Sequence, residues 1–156
     1  MTMPQRLATK FLALGTLTLL TCCQSRYDNE ATQNLSRPER VRFEQYMVQG
    51  QVLYRAHCGN CHQEDGTGLR RLIPPLAQSD YMLADVDRTL CLIKNGLQGP
   101  IVVNDTLYNQ MMPANEALRD IEIAQIATYI YNEWGHAEGF IPTTRVTEAL
   151  GQCPAP

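Results

Sequence analysis

No stretch of this chain is apolar for long enough to cross a bilayer. A spanning helix needs about 20 consecutive apolar residues, and the best candidate, Phe11 to Leu20, stops at Thr21-Cys22-Cys23. Excess positive charge is lacking too. The formal net charge is −3, and removing a leader that carries Arg6 and Lys10 but no acid takes it to −5. Such a balance argues against nucleic acid, whose phosphates would repel it, and suits a partner with a basic docking face. Paired cysteines are scarce. Of six cysteines, Cys58 and Cys61 form a Cys-x-x-Cys, while Cys91 and Cys153 stand alone, so no second ligand pair completes a zinc site. The segment before Cys58 reads as helix, not strand, which removes the βαβ setting of a thioredoxin-type dithiol. At 156 residues and 44% hydrophobic content, the chain is the size of one compact domain.

What is present is Cys58-Gly59-Asn60-Cys61-His62, the C-x-x-C-H pattern of covalent c-type haem attachment. Two thiols one helical turn apart can each bond a porphyrin vinyl group, and His62 then lies under the ring as the proximal ligand to iron. A sixth ligand is offered by Met111-Met112-Pro113, fifty residues further on in a turn. A thioether opposite a histidine makes a low-spin haem of raised potential. Methionine is also an ordinary core filler, and one of the two can be that. His57 and His136 both read as solvent-facing residues, with bis-histidine ligation as the alternative. Nothing supplies the distal histidine and arginine that peroxide chemistry needs.

With these ligands the chain resembles the class I bacterial cytochrome c family over about residues 45 to 134. Gly50 and Tyr54 stand eight and four residues before Cys58, where that family has a small residue and an aromatic. Ile126 and Tyr129 match its C-terminal helix. The resemblance implies an all-α cytochrome c fold of three to four helices around one covalent haem, with the terminal helices crossing closely at Gly50. Pro74-Pro75-Leu76 resembles the family's Pro-x-Leu, so that the carbonyl of Pro74, or else Pro75, accepts the other N–H of His62. In bacterial relatives the methionine directly before proline is the ligand, which favours Met112 over Met111. The chain departs from the family at Gly99 to Tyr108, where two β-branched runs meet at Asn104-Asp105 and predict a small hairpin near 100–109. It either stiffens the loop, the reading preferred here, or covers a haem edge or contacts a partner.

Residues 1–22 resemble a bacterial lipoprotein signal, with Cys22 or Cys23 as the lipidated residue and a plain cleaved leader as the alternative. Residues 23–36 are polar and read as a flexible tether, and residues 37–156 as the cytochrome c domain with a C-terminal tail. Ser36-Arg37-Pro38-Glu39 is a capping-box signal. It opens a helix from Pro38 to about Ala56 with Val41, Met47, Val48 and Leu53 inward. Gln63 to Leu83 is expected as loop, Asp85 to Asn95 as a helix stopped by Gly96, and Asp120 to Trp134 as the last strong helix. Leu69, Leu72, Ile73, Leu76, Leu90 and Ile93 are candidate pocket linings. In an oxidising compartment the leftover Cys91 and Cys153 are expected to pair and staple the tail, two free thiols being the alternative.

These readings converge on an exported, membrane-tethered carrier of one electron, not itself an enzyme, on the periplasmic side of a bacterial membrane. Its partners are a redox donor and acceptor, either free proteins or subunits of a respiratory or dehydrogenase complex. The competing reading is a catalytic or gas-sensing haem protein in which the methionine is displaced.

Overall fold

The computed structural model describes residues 26–154. The signal segment and both candidate lipidated cysteines, Cys22 and Cys23, lie outside the described residues. The first long helix, α1 (Arg37–His57), starts where the Glu39 carboxylate accepts the Ser36 backbone N–H at 2.9 Å and its hydroxyl at 2.6 Å. Its buried stripe is Phe43, Met47, Gly50 and Tyr54, spaced four, three and four residues apart as one helical face requires. Val41 and Val48, expected inward, are 47% and 54% exposed. They lie off the stripe that Phe43 and Tyr54 set, and the larger aromatic burial decides which face turns in.

That face packs on α5 (Asp120–Ile130). A Cβ at Gly50 would stand 2.1 Å from the Gln125 carbonyl oxygen and 2.8 Å from Tyr129 Cβ, so the expected close crossing is present and excludes any larger residue. Helix α4 (Val86–Asn95) is capped by the Asp85 carboxylate, which accepts the Arg88 N–H at 2.9 Å, and ends at Gly96. Two single-turn helices, α2 (Gly59–His62) and α3 (Asp80–Leu83), complete the front of the molecule. The only sheet among the described residues is the antiparallel ribbon of β1 (Ile101–Val103) and β2 (Thr106–Tyr108), paired Ile101 to Tyr108. Its corner residues Asn104 and Asp105 both have positive φ, the geometry of a tight hairpin turn. The class is therefore all-α with one small hairpin, as expected. Among the described residues no helix is long and apolar enough to cross a membrane.

The two ends of the domain are more ordered than their composition suggests. The tail folds into α6 (Thr143–Leu150), which buries Val146 and Ala149 against α4 and α5. The Cys91–Cys153 disulfide fastens it to α4. Residues 26–35, expected as tether, also dock. Thr32 is buried, Tyr27 and Leu35 pack on the core, and Arg40 pairs with Asp28 while donating to the Thr32 carbonyl at 2.7 Å. Polar groups here gain partners on the domain, so low hydrophobicity did not leave the segment free. Helix α5 ends at Ile130, four residues before the expected Trp134: the backbone leaves helical values at Tyr131 (φ −87°, ψ 1°), and Trp134, at positive φ, turns back over Tyr54 and Tyr129.

Candidate functional site

Helix α1 stops at Cys58, whose carbonyl accepts the N–H groups of Cys61 at 3.1 Å and His62 at 2.9 Å. This one turn of α2 sets Cys58, Cys61 and His62 on the same wall of a cleft of about 960 Å3, open mouth included. Gln63, at φ 64°, breaks the turn, and its carbonyl accepts the Tyr54 hydroxyl at 2.6 Å. His62 Nδ1 donates to the carbonyl of Pro74, not Pro75, at 3.0 Å, which leaves the lone pair on Nε2. Burial pulls the His62 pKa below its ordinary value, opposed by the bond to Pro74. The buried imidazole is thus held neutral, the form that ligates metals. Burial, with a smaller contribution from Cys61, pushes the Cys58 thiol up to about 12.

Met111, Met112 and Pro113 line the same cleft. Met112 is tied to Leu97 by two backbone hydrogen bonds of 3.0 Å, one in each direction. Gly96 makes the approach possible: its φ is +75°, and a Cβ there would stand 2.4 Å from the Met112 carbonyl oxygen. Lys94 Nζ donates to the carbonyls of Glu116 and Leu118, each at 2.7 Å, and holds the strand that leaves the methionines. Met111 is 57% exposed and Met112 half-buried.

The remaining walls are apolar. Ile73, Leu76 and Ile93 line the cleft as expected, joined by Leu92, Leu97, Ile126 and Ile130. Leu69 and Leu72 do not, being 47% and 51% exposed. The turn closed by the Leu69 to Ile73 bridge sends Ile73 inward and leaves both leucines outside. Leu90 is fully buried in the main core instead. The hairpin contributes Ile101, Val103 and Tyr108 to the cleft, with Val102 and Leu107 facing out. Its alternation of side chains was the available signal for this. The ribbon therefore walls the cleft and does more than stiffen a loop. His57 is exposed, as expected. His136 is 6% exposed and hydrogen-bonded through both ring nitrogens, contrary to its solvated reading.

This donor set fits a c-type haem. Two thiols, a neutral imidazole and a thioether line one cleft, and the rest of its lining is mostly hydrocarbon. The Cytochrome c family model matches residues 47–134. The chain is 35% identical over 96 residues to "Cytochrome c-552" of Thermus thermophilus, a match covering 57% of this chain and 73% of that protein. It is 30% identical over 90 residues to "Alcohol dehydrogenase (quinone), cytochrome c subunit" of Gluconobacter oxydans (strain 621H). That match covers 56% of this chain but only 18% of the relative.

Proposed function

Because the chain belongs to the cytochrome c family and binds haem c covalently, we propose that it is a single-electron carrier in which Cys58 and Cys61 would carry the thioether links and His62 and Met112 would hold the iron. When bound, the haem takes one electron from a donor and yields it to an acceptor. The observation that carries the reading is a single apolar cleft lined both by a neutral His62 oriented by Pro74 and by a Met112 pinned through Leu97. Pro74, by accepting the Nδ1 proton, fixes the tautomer and strengthens Nε2 as a donor. Leu76, Ile93, Ile126 and the hairpin exclude water from the cleft, which favours the less charged state of an iron centre. Met112 is preferred over Met111 because its backbone is held on both N–H and C=O, whereas Met111 stands more than half exposed.

We further propose export and anchoring through lipid on Cys22 or Cys23. Since the chain packs on the domain from Tyr27 onward, a lipid on either cysteine would keep the carrier close to its membrane. A respiratory or dehydrogenase complex is the proposed setting, supported by the Gluconobacter relative, a cytochrome c subunit of a quinone-dependent alcohol dehydrogenase.

The ligand assignment is tested in the far-red spectrum of the oxidised protein, where a sulfur-to-iron charge-transfer band is expected. Met112→Ala abolishes the band and Met111→Ala keeps it. The opposite result assigns the sulfur to Met111.

A further inference from the structure

His136 lies outside the cleft, yet it joins two segments that decide how the cleft is built. Its Nε2 accepts the backbone N–H of Gln78 at 3.0 Å, and its Nδ1 donates to the Ile130 carbonyl at 3.0 Å, near the end of α5. Only the neutral Nδ1–H tautomer satisfies both bonds. Gln78 closes the loop that carries Pro74, and it takes the strained positive φ of 54° that brings its N–H to the histidine. Its side chain adds a 2.8 Å bond to the Trp134 carbonyl. The other side of the same loop is held by Gly66, whose carbonyl accepts the N–H groups of Leu76 and Ala77 and whose Cα abuts the Trp134 ring.

We propose that His136 is a positioning residue for the proximal ligand, holding through Gln78 the loop that keeps the Pro74 carbonyl on His62 Nδ1. A helix-end carbonyl could be capped by many donors. What capping alone does not require is an acceptor aimed at the loop on the other side. Loss of that acceptor leaves the Gln78 N–H without its partner, lets the Pro74 carbonyl draw back, and makes His62 a weaker electron donor. A weaker donor stabilises the ferric state less, so the reduction potential rises.

The inference rests on His62 being the ligand, and the haem-loaded protein tests the two separately. In the ferrous state, nitrogen NMR is expected to show His136 protonated on Nδ1 alone, and His136→Phe is expected to raise the potential. His136→Gln, which retains one donor and one acceptor, brings it back toward the parent value. An Nε2–H tautomer in the parent protein overturns the inference even if no variant folds. So does an unchanged potential in His136→Phe, or an equal rise in His136→Gln. Should His62→Ala keep the parent axial spectrum, the ligand assignment fails instead, whatever the tautomer of His136.

Discussion

On the His62 wall the backbone is bonded at almost every turn. Gly68 donates to the His62 carbonyl, Leu76 and Ala77 donate to Gly66, Tyr54 reaches Gln63, and His136 and Trp134 hold Gln78. On the Met112 wall the methionine has one two-bond bridge to Leu97, and the segment after it is tied to the end of α4 alone, by Asn115 donating to the Lys94 and Ile93 carbonyls and by Lys94 itself. The difference teaches that the histidine is held in place by a mesh, so that opening one bond changes its strength as a donor and not its identity as the ligand. The methionine depends on how well α4 itself is held. Strength of attachment to iron should therefore be more easily varied on the sulfur side.

The largest expected effect comes from removing what braces α4. Replacing Cys91 and Cys153 by alanine frees a loop with a sequence separation of 62 and should cost about 4 kcal/mol on loop-closure entropy, read as a lower denaturation midpoint in urea. The far-red band should weaken as well, because α4 carries Gly96 and Leu97 under Met112. An unaltered midpoint would show that Val146 and Ala149 hold the tail without the staple.

Two glycines make a sharper comparison because their geometry is alike. Gly68 has φ +69° and Gly96 φ +75°, and a Cβ at either would stand 2.4 Å from a carbonyl oxygen, that of Ile73 or Met112. Alanine at each should cost on the order of 3 kcal/mol from backbone strain and overlap together. The spectra should part company. Gly68→Ala should shift the potential through the Pro74 carbonyl and keep the far-red band, whereas Gly96→Ala should lose the band and retain histidine ligation. Identical spectra from the two variants would mean that the walls are not independent.

The smallest effect serves as a control away from both walls. The Arg119 side chain and then its backbone N–H hold the Glu122 carboxyl down to about 2. A carboxylate with a depressed folded pKa stabilises above its unfolded value and loses that contribution as pH falls toward the folded one. The advantage of the parent over Glu122→Gln should thus be complete above about pH 4.5 and fade between there and pH 2. The haem spectrum should not move in acid or at neutrality. A spectral change would show that the start of α5 communicates with the cleft.

Most of the framework was legible because it is written in local signals. The capping box at Ser36 and the Asp85 to Gly96 helix depend on residues a few positions apart. The hairpin corner and the Cys58 to His62 turn do so as well. What escaped depends on distant partners. His136 looked solvated because its acceptor role is set by Gln78, 58 positions earlier. Helix α6 carries too little apolar surface to announce itself, and its burial is completed by α4 and α5 together. Val41 and Val48 misled because α1 has apolar residues on more than one side, and only α5 chooses among them. Of the site, the thiols, the imidazole and the methionines could be named in advance. The walls of Leu92 and Leu97 could not, since side-chain direction there follows from where neighbours hold it, whereas the ribbon's alternation carried the signal for Ile101 and Val103.

The disulfide also bears on how the chain matures. A polypeptide emerges from its amino end, so Cys58 and Cys61 come free while Cys153 is still far behind, and Cys91 must wait through 62 further residues for its partner. During that wait Cys91 is a thiol without its native partner while Cys58 and Cys61 are already free. A haem bonded early to that pair would remove the two sulfurs with which Cys91 could mispair.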